Sequence, residues 1–316
     1  MSITGTRVIG VGHYQPSKVL TNEDLAQMVD TNDEWIQSRV GIRERRIAED
    51  ETVADMATLA AEKALAASDL RASDIDLVVV ATCSAVDRVP NTACRVADRL
   101  GVGSPAGYDI NTACSGFSYA LATADHAIRC GSATKAIVIG VEKLSDWTDW
   151  TDRSTCILFG DAAGAVVITG TEGDEEPGIG PVVWGSVPEM SDVVRIEASH
   201  PYIAQEGQTV FRWAITALAP LARKAAEAAG VDMDDIAAFV AHQANLRIIE
   251  GIAKKLKAPN AIIASDIVES GNTSAASVPL ALSKLIDNGE LKTGAPVLLF
   301  GFGGGLTYAG QVIRCP

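Results

Sequence analysis

Residues 52–84 and residues 209–244 run through the same order of patterns, and that repetition restricts the chain to a fold built from two like halves. Each stretch opens on Thr-Val, continues as an apolar helical pattern, passes an acidic turn (Asp74 in the first, Asp234-Asp235 in the second) and ends in a short apolar strand. Both helices are expected to begin at their Thr-Val, and Thr52 with Asp55 forms a capping box. Each half also closes on a glycine-containing apolar stretch, at 156–169 and 297–313, read as a strand pair. Short buried strands alternating with helices demand helices on both faces of the sheet. Two such halves, residues 1–170 and 171–316, predict an α/β fold of five layers, αβαβα, about a pseudo-twofold axis.

Three polar residues stand where strands of that pattern end. Cys114 lies between an apolar strand and a helix carrying Phe117, Leu121, Ala124 and Ile128 on one face, with Gly131 as its stop. A thiol at a helix N-terminus meets unpaired N–H groups and the positive end of the macrodipole, which favour the nucleophilic thiolate. A small buried thiol is the alternative for that segment alone. His242 ends the strand Phe239-Val240-Ala241, and Asn272 occupies a Gly-Asn turn whose hydroxyls, Thr273, Ser274 and Ser277, are expected to cap the next helix. Cys, His and Asn at element edges, with nucleophile and partners in opposite halves, place a reaction centre where the halves meet.

Around these residues the chain resembles the β-ketoacyl-acyl-carrier-protein synthase III enzymes of the thiolase superfamily. The resemblance runs from about Val8 to Ile313 and rests on Asp33-Glu34-Trp35-Ile36, Gly41-Ile42-Arg43-Glu44-Arg45, Ala113-Cys114-Ser115-Gly116-Phe117, Phe159-Gly160-Asp161, His242-Gln243-Ala244-Asn245, Gly271-Asn272-Thr273-Ser274 and Phe302-Gly303-Gly304-Gly305. It implies the thiolase-like fold and a decarboxylative Claisen condensation of an acyl-coenzyme A primer with malonyl-acyl carrier protein, which starts fatty acid or polyketide synthesis. Cys114 would carry the acyl group. The enolate left by decarboxylation needs hydrogen-bond donors without negative charge, which neutral His242 and the amide of Asn272 supply. The same residues leave open a family member that hands its acyl group to a hydroxyl or amine, and a scaffold without activity.

The resemblance also assigns the periphery. Gly304 with the Cys114 N–H forms an oxyanion hole and Phe302 shields the site. Trp35 and Arg153 sandwich the adenine of coenzyme A; apart from the resemblance, Arg39 and Arg43 lie close enough to Trp35 in sequence to meet phosphates, or belong to a solvated face of the four arginines in 39–46. Phe159 lines the acyl pocket. Val89 stands where acetyl-preferring members carry a Phe that reaches into the partner subunit of a homodimer, so branched or longer primers would fit. Residues 185–208 form a shorter segment than usual over the acyl tunnel.

Composition bounds the remaining possibilities. A chain of 316 residues, 47% hydrophobic, buries a large core. It shows no export signal and no run near the roughly 20 apolar residues of a membrane span, so a cytoplasmic protein is expected. Six cysteines without metal-type spacing suggest reduced thiols and no metal, the other five being buried bystanders. The glycine run 301–305 lacks both the dinucleotide pattern and a following Lys-Ser or Lys-Thr, so no resident cofactor is expected and the coenzyme A thioester is substrate. A net charge of −14 disfavours nucleic acid. Against it, Arg247, Lys254, Lys255 and Lys257 make a basic patch suited to the acidic carrier protein, or a plain solvated face.

Overall fold

In the computed structural model, residues 3–316 are described. Chain order begins β1 (Ile3–Tyr14), β2 (Lys18–Thr21), α1 (Asn22–Ala26), α2 (Asp33–Val40), β3 (Glu44–Ile47), α3 (Val53–Ala67), β4 (Leu77–Ala81), α4 (Thr92–Leu100) and β5 (Ala106–Ile110). It continues through α5 (Gly116–Arg129), β6 (Lys135–Glu142), β7 (Ala162–Glu172), β8 (Val183–Ser186), β9 (Val194–Glu197), β10 (His200–Gln205) and α6 (Gly207–Ala228). The last elements are β11 (Ala238–Ala241), α7 (Leu246–Leu256), β12 (Ile262–Ile263), α8 (Ile267–Ser270), α9 (Ser277–Asp287), β13 (Pro296–Gly303) and β14 (Thr307–Arg314).

The two main sheets have one topology. The first has the order β1-β7-β6-β4-β5 and the second, read from its far edge, β8-β14-β13-β11-β12. In both, the first two pairings are antiparallel and the last two parallel. The five layers follow from burial. Phe117, Leu121 and Ile128 of α5 and Val278 and Leu282 of α9 pack between the sheets, against Val138 and Val166 on one side and Val240 and Leu299 on the other. Helices α3 and α4 cover the outer face of the first sheet, and α6 and α7 that of the second. Strand β7 runs to Glu172, just past the boundary placed at 170. Among the described residues no helix is long and apolar enough to cross a membrane.

Two local expectations need correction. Thr52 does cap α3, its hydroxyl and the Asp55 carboxylate bonding each other's backbone N–H, but α6 begins at Gly207, so Thr209-Val210 lie inside its first turn. The Thr209 hydroxyl instead donates to the Glu206 carboxylate at 3.2 Å. Residues 156–158 form turns and Phe159 makes an isolated parallel bridge with Asn272, while β7 pairs with β6 and β1 instead of with that stretch. Residues 185–208 are ordered by a short 3₁₀ stretch (Pro188–Val193) and the β9–β10 hairpin.

Candidate active site

Cys114, His242 and Asn272 all line one cavity of about 1080 Å³ between the halves, with Phe159, Phe302 and Gly303–Gly305 among its walls. Cys114 lies in a 3₁₀ turn (Ala113–Ser115) leading into α5. The turn is tight: Ala113 has φ +46°, a left-handed conformation that side chains resist, and Asn111 Oδ1 accepts the Ala113 N–H at 3.2 Å. The glycine loop faces it across the gap. Gly305 at φ +111° needs glycine outright. Ser115 Oγ lies 2.8 Å from Thr307 Oγ1, whose hydroxyl sits 2.9 Å from the Gly304 carbonyl, so the loop is tied to the nucleophile's own turn.

The turn at Asn272 is the pseudo-twofold copy of the turn at Cys114. Asn272 Oδ1 accepts the Ser274 N–H at 2.9 Å, and Ser274 has φ +45°. Asn111-Thr112-Ala113-Cys114 and Asn272-Thr273-Ser274-Ala275 are therefore one motif used twice, a signal visible in the letters and missed in the reading of them. The Asn272 carboxamide oxygen is engaged by the Ser274 N–H, which leaves its NH₂ available to a ligand. Helix α9 has no side-chain cap, and of the three hydroxyls expected there Ser274 and Ser277 do other work while the buried Thr273 Oγ1 makes no hydrogen bond among the described residues. Ser277 Oγ meets His242 Nδ1 at 2.7 Å, and Ser274 Oγ donates to Glu142 Oε1 at 3.1 Å.

Electrostatics revise the expected resting state of the nucleophile. Burial pushes the Cys114 thiol up to about 11, and the nearby Glu142 carboxylate adds to the rise. The Ser274 hydroxyl and the Gly304 N–H pull the other way without overcoming it. The thiol is thus raised rather than lowered, because burial disfavours the thiolate. His242, 1% exposed at the end of β11, is held neutral by the same cause, with burial lowering it to about 3. Phe302 packs edge-on against it, ring centroids 5.2 Å apart at 72°.

Glu142 had no place in the sequence reading. It ends β6 fully buried, and its carboxylate accepts from Thr82 Oγ1, Cys83 N, Ser84 Oγ, Ser274 Oγ and Ala275 N. It thereby binds the turn beside Asn272 to the sheet beneath Cys114. Cys83 donates its thiol to the same carboxylate (3.3 Å) and lines the cavity, while Cys94 and Cys130 are exposed. Of the five cysteines expected to be buried, only Cys156 and Cys315 are.

The family models for 3-oxoacyl-[acyl-carrier-protein] synthase III and for its C-terminal part match residues 108–188 and 226–315. A β-ketoacyl-[acyl-carrier-protein] synthase III of Streptomyces coelicolor is 63% identical over 313 residues, 99% of each chain. One from Streptomyces avermitilis is 63% identical over 315 residues, covering 99% of this chain and 100% of the relative. The chain belongs to the synthase III family. Among solved structures, a priming β-ketosynthase of a polyketide pathway matches with TM-score 0.96 at 39% identity, over 100% of this chain and 97% of its own. The synthase III of Aquifex aeolicus matches with TM-score 0.93 at 42% identity, over 98% and 100%.

In this synthase III chain the mouth of the cavity carries the remaining candidates. Trp35 and Arg39 line it, with the Arg39 guanidinium 5.8 Å from the Trp35 ring centroid. Arg153 lies 5.0 Å over the same ring and donates to the Asp30 carbonyl at 2.9 Å, so it occupies the place expected for an adenine. Arg43 points elsewhere, paired with Glu269 at 2.7 Å beside a separate small cavity. Arg45 is no part of a solvated face: it is fully buried, donates to Asn22 Oδ1 (2.8 Å) and the Ile157 carbonyl (2.7 Å), and is lowered by burial to about 10.

Arg247 lines the cavity and stacks 5.3 Å from the Phe211 ring, while Lys254, Lys255 and Lys257 are exposed along α7 and its end. Arg212, absent from the sequence reading, lines the cavity beside Arg247. Val89 is 87% exposed and is not part of the wall of the cavity that holds Cys114. Val194, Ile196 and Ile203 of the 185–208 region form part of the cavity wall.

Proposed function

We propose that this protein condenses an acyl-coenzyme A primer with malonyl-acyl carrier protein through an acyl group held on Cys114, a reading supported by relatives named β-ketoacyl-[acyl-carrier-protein] synthase III. The observation that carries the reading is the convergence of a thiol, a neutral imidazole and a free carboxamide NH₂ on one cavity whose mouth is framed by Trp35 and Arg39. In the first half-reaction the Cys114 sulfur bonds to the primer carbonyl carbon. The coenzyme A sulfur leaves and the thiol proton passes to it. In the second, the malonyl C–CO₂ bond breaks, the enolate carbon attacks the acyl carbon, and Cys114 departs as thiolate to be reprotonated. His242 and Asn272 meet the enolate oxygen, and Gly304 serves the acyl-enzyme carbonyl; losing one such donor typically costs about 3–4 kcal/mol in the barrier.

Around this centre, Arg153 swings off Trp35 to admit the adenine, Phe159 bounds the acyl chain and Phe302 keeps water from His242. The carrier protein docks on Arg247, Lys254, Lys255 and Lys257, and Val89 enters the pocket of a second copy in a cytoplasmic homodimer that needs no resident cofactor. The exposure of Val89 supports that last assignment. The test is mass spectrometry of protein incubated with a panel of acyl-coenzyme A primers, then with malonyl-acyl carrier protein. Acyl adducts on Cys114, followed by carbon dioxide and a β-ketoacyl carrier, are expected. Adducts without carbon dioxide would replace condensation by transfer to another acceptor.

A further inference from the structure

We infer that Trp147 is a specificity-determining residue, its tethered indole forming a rigid end wall that limits the length of a straight-chain primer. Trp147 closes the 3₁₀ turn after β6 (Leu144–Trp147) and is half-buried. With Leu144, Phe159, Ile196 and Ile203 it lines the Cys114 cavity and belongs to one apolar cluster. Strand β10, which carries Ile203, packs on the same turn. Contacts order these residues outward from the sulfur. The Ser274 hydroxyl meets Cys114 and lies 3.9 Å from Cys83 Sγ, so Cys83 stands beside the nucleophile. Ser84 comes next in the chain, and the Trp147 indole N–H donates to its carbonyl at 2.9 Å. An acyl chain that leaves Cys114 past Cys83 therefore meets the indole.

The indole differs from its neighbours in that it does not give way. Leu144, Phe159, Ile196 and Ile203 carry no polar side-chain atom, so they change rotamer without losing a hydrogen bond. Trp147 is bound otherwise. Ser84 is fully buried, and among the described residues no other donor reaches its carbonyl. Turning the indole aside would strand that carbonyl away from water. Ser84 is itself held, its hydroxyl donating to Glu142 Oε2 at 2.5 Å and accepting the Lys143 N–H at 2.9 Å. The tether thus runs from the buried Glu142 carboxylate through Ser84 to the indole. Short and branched acyl groups fit in front of such a wall, whereas a long straight chain needs the space that the ring fills.

This assignment rests on the condensing-enzyme reading, through the acyl group on Cys114. The test is single-turnover acylation of Cys114 by isobutyryl- and octanoyl-coenzyme A in competition, read by intact-protein mass spectrometry. Wild type is expected to load isobutyryl in preference. Trp147→Leu, which removes both ring and tether, should raise the octanoyl-to-isobutyryl ratio roughly 10–200-fold. Trp147→Phe keeps a ring but cannot donate, so it should shift the ratio the same way, and it carries the test if Trp147→Leu does not fold. An unchanged ratio in either folded variant, or wild type that loads both primers equally, would overturn the inference. Wild type that loads neither primer on Cys114 would overturn the condensing reading and the pocket assignment together. A shifted ratio without carbon dioxide release from malonyl-acyl carrier protein would uphold the wall and overturn condensation alone.

Discussion

A Cβ added to Gly303 would stand 2.5 Å from the Cβ of Cys114 and 2.8 Å from its Sγ, so the glycine loop and the nucleophile are in direct backbone-to-side-chain contact. Gly303→Ala must push one of them aside. Overpacking of this kind typically costs about 1–3 kcal/mol in stability. Displacing the thiol by about 1 Å should slow acyl-enzyme formation on the order of 100-fold. Thermal unfolding and single-turnover acylation measure the two effects. Wild-type acylation in Gly303→Ala would show that the loop yields without moving Cys114.

The raised thiol of Cys114 sets a pH dependence that differs from that of a resting thiolate. With its pKa pushed up to about 11, the thiolate fraction rises as pH rises and does not level off below that value. Alkylation of Cys114 by iodoacetamide should therefore accelerate roughly tenfold per pH unit between about pH 7 and 9. A plateau in that range would mean that the helix end stabilises the thiolate more than burial opposes it.

Asn272→Asp keeps the shape of the side chain and the oxygen that accepts the Ser274 N–H. It removes the NH₂ and places a negative charge where the enolate forms. Malonyl decarboxylation should fall by roughly 100–1000-fold, the usual loss for one oxyanion donor, and acylation by much less. A larger loss in acylation would move Asn272 to the primer half-reaction.

Glu142→Gln should destabilise the protein and quicken its nucleophile. Both carboxylate oxygens face the Cys83 N–H, at 3.3 and 3.1 Å, so either orientation of an amide sets an NH₂ against a donor. Leaving such groups unsatisfied costs about 1–3 kcal/mol. The same change removes a charge that raises Cys114, so alkylation at fixed pH should become faster. A stable variant with slower alkylation would contradict both halves of the argument.

Val89→Phe should narrow primer use toward acetyl. Val89 is 87% exposed on its own chain, so any effect on the pocket must come from a second copy. Filling one or two methylenes' worth of space shifts relative kcat/KM by roughly 10–200-fold. Competition between acetyl- and isobutyryl-coenzyme A for Cys114 measures it. An unchanged ratio would turn attention to Ile196 and Ile203, which wall the cavity from the 185–208 hairpin.

The amino-acid sequence by itself determined the architecture, because a repeated order of helix, acidic turn and apolar strand can bury its strands only between helix layers. It also determined Cys114, His242 and Asn272 as the residues at the seam, since each ends an element whose pattern is plain in the letters. The internal copy of the Cys114 turn at Asn272 was legible too, in the repeated Asn-Thr, but only once the two sheets were seen to share a topology. What tertiary structure alone decided is the state of those residues. Whether the Cys114 thiol is raised or lowered, and whether His242 is neutral, depends on desolvation and on partners that no local pattern announces. Glu142 reaches Ser274 across 132 residues of chain and Ser277 reaches His242 across 35. Arg45 makes the same point: among four arginines that read as one charged face, it alone is wholly buried, because Asn22 and the Ile157 carbonyl are brought to it from elsewhere in the fold.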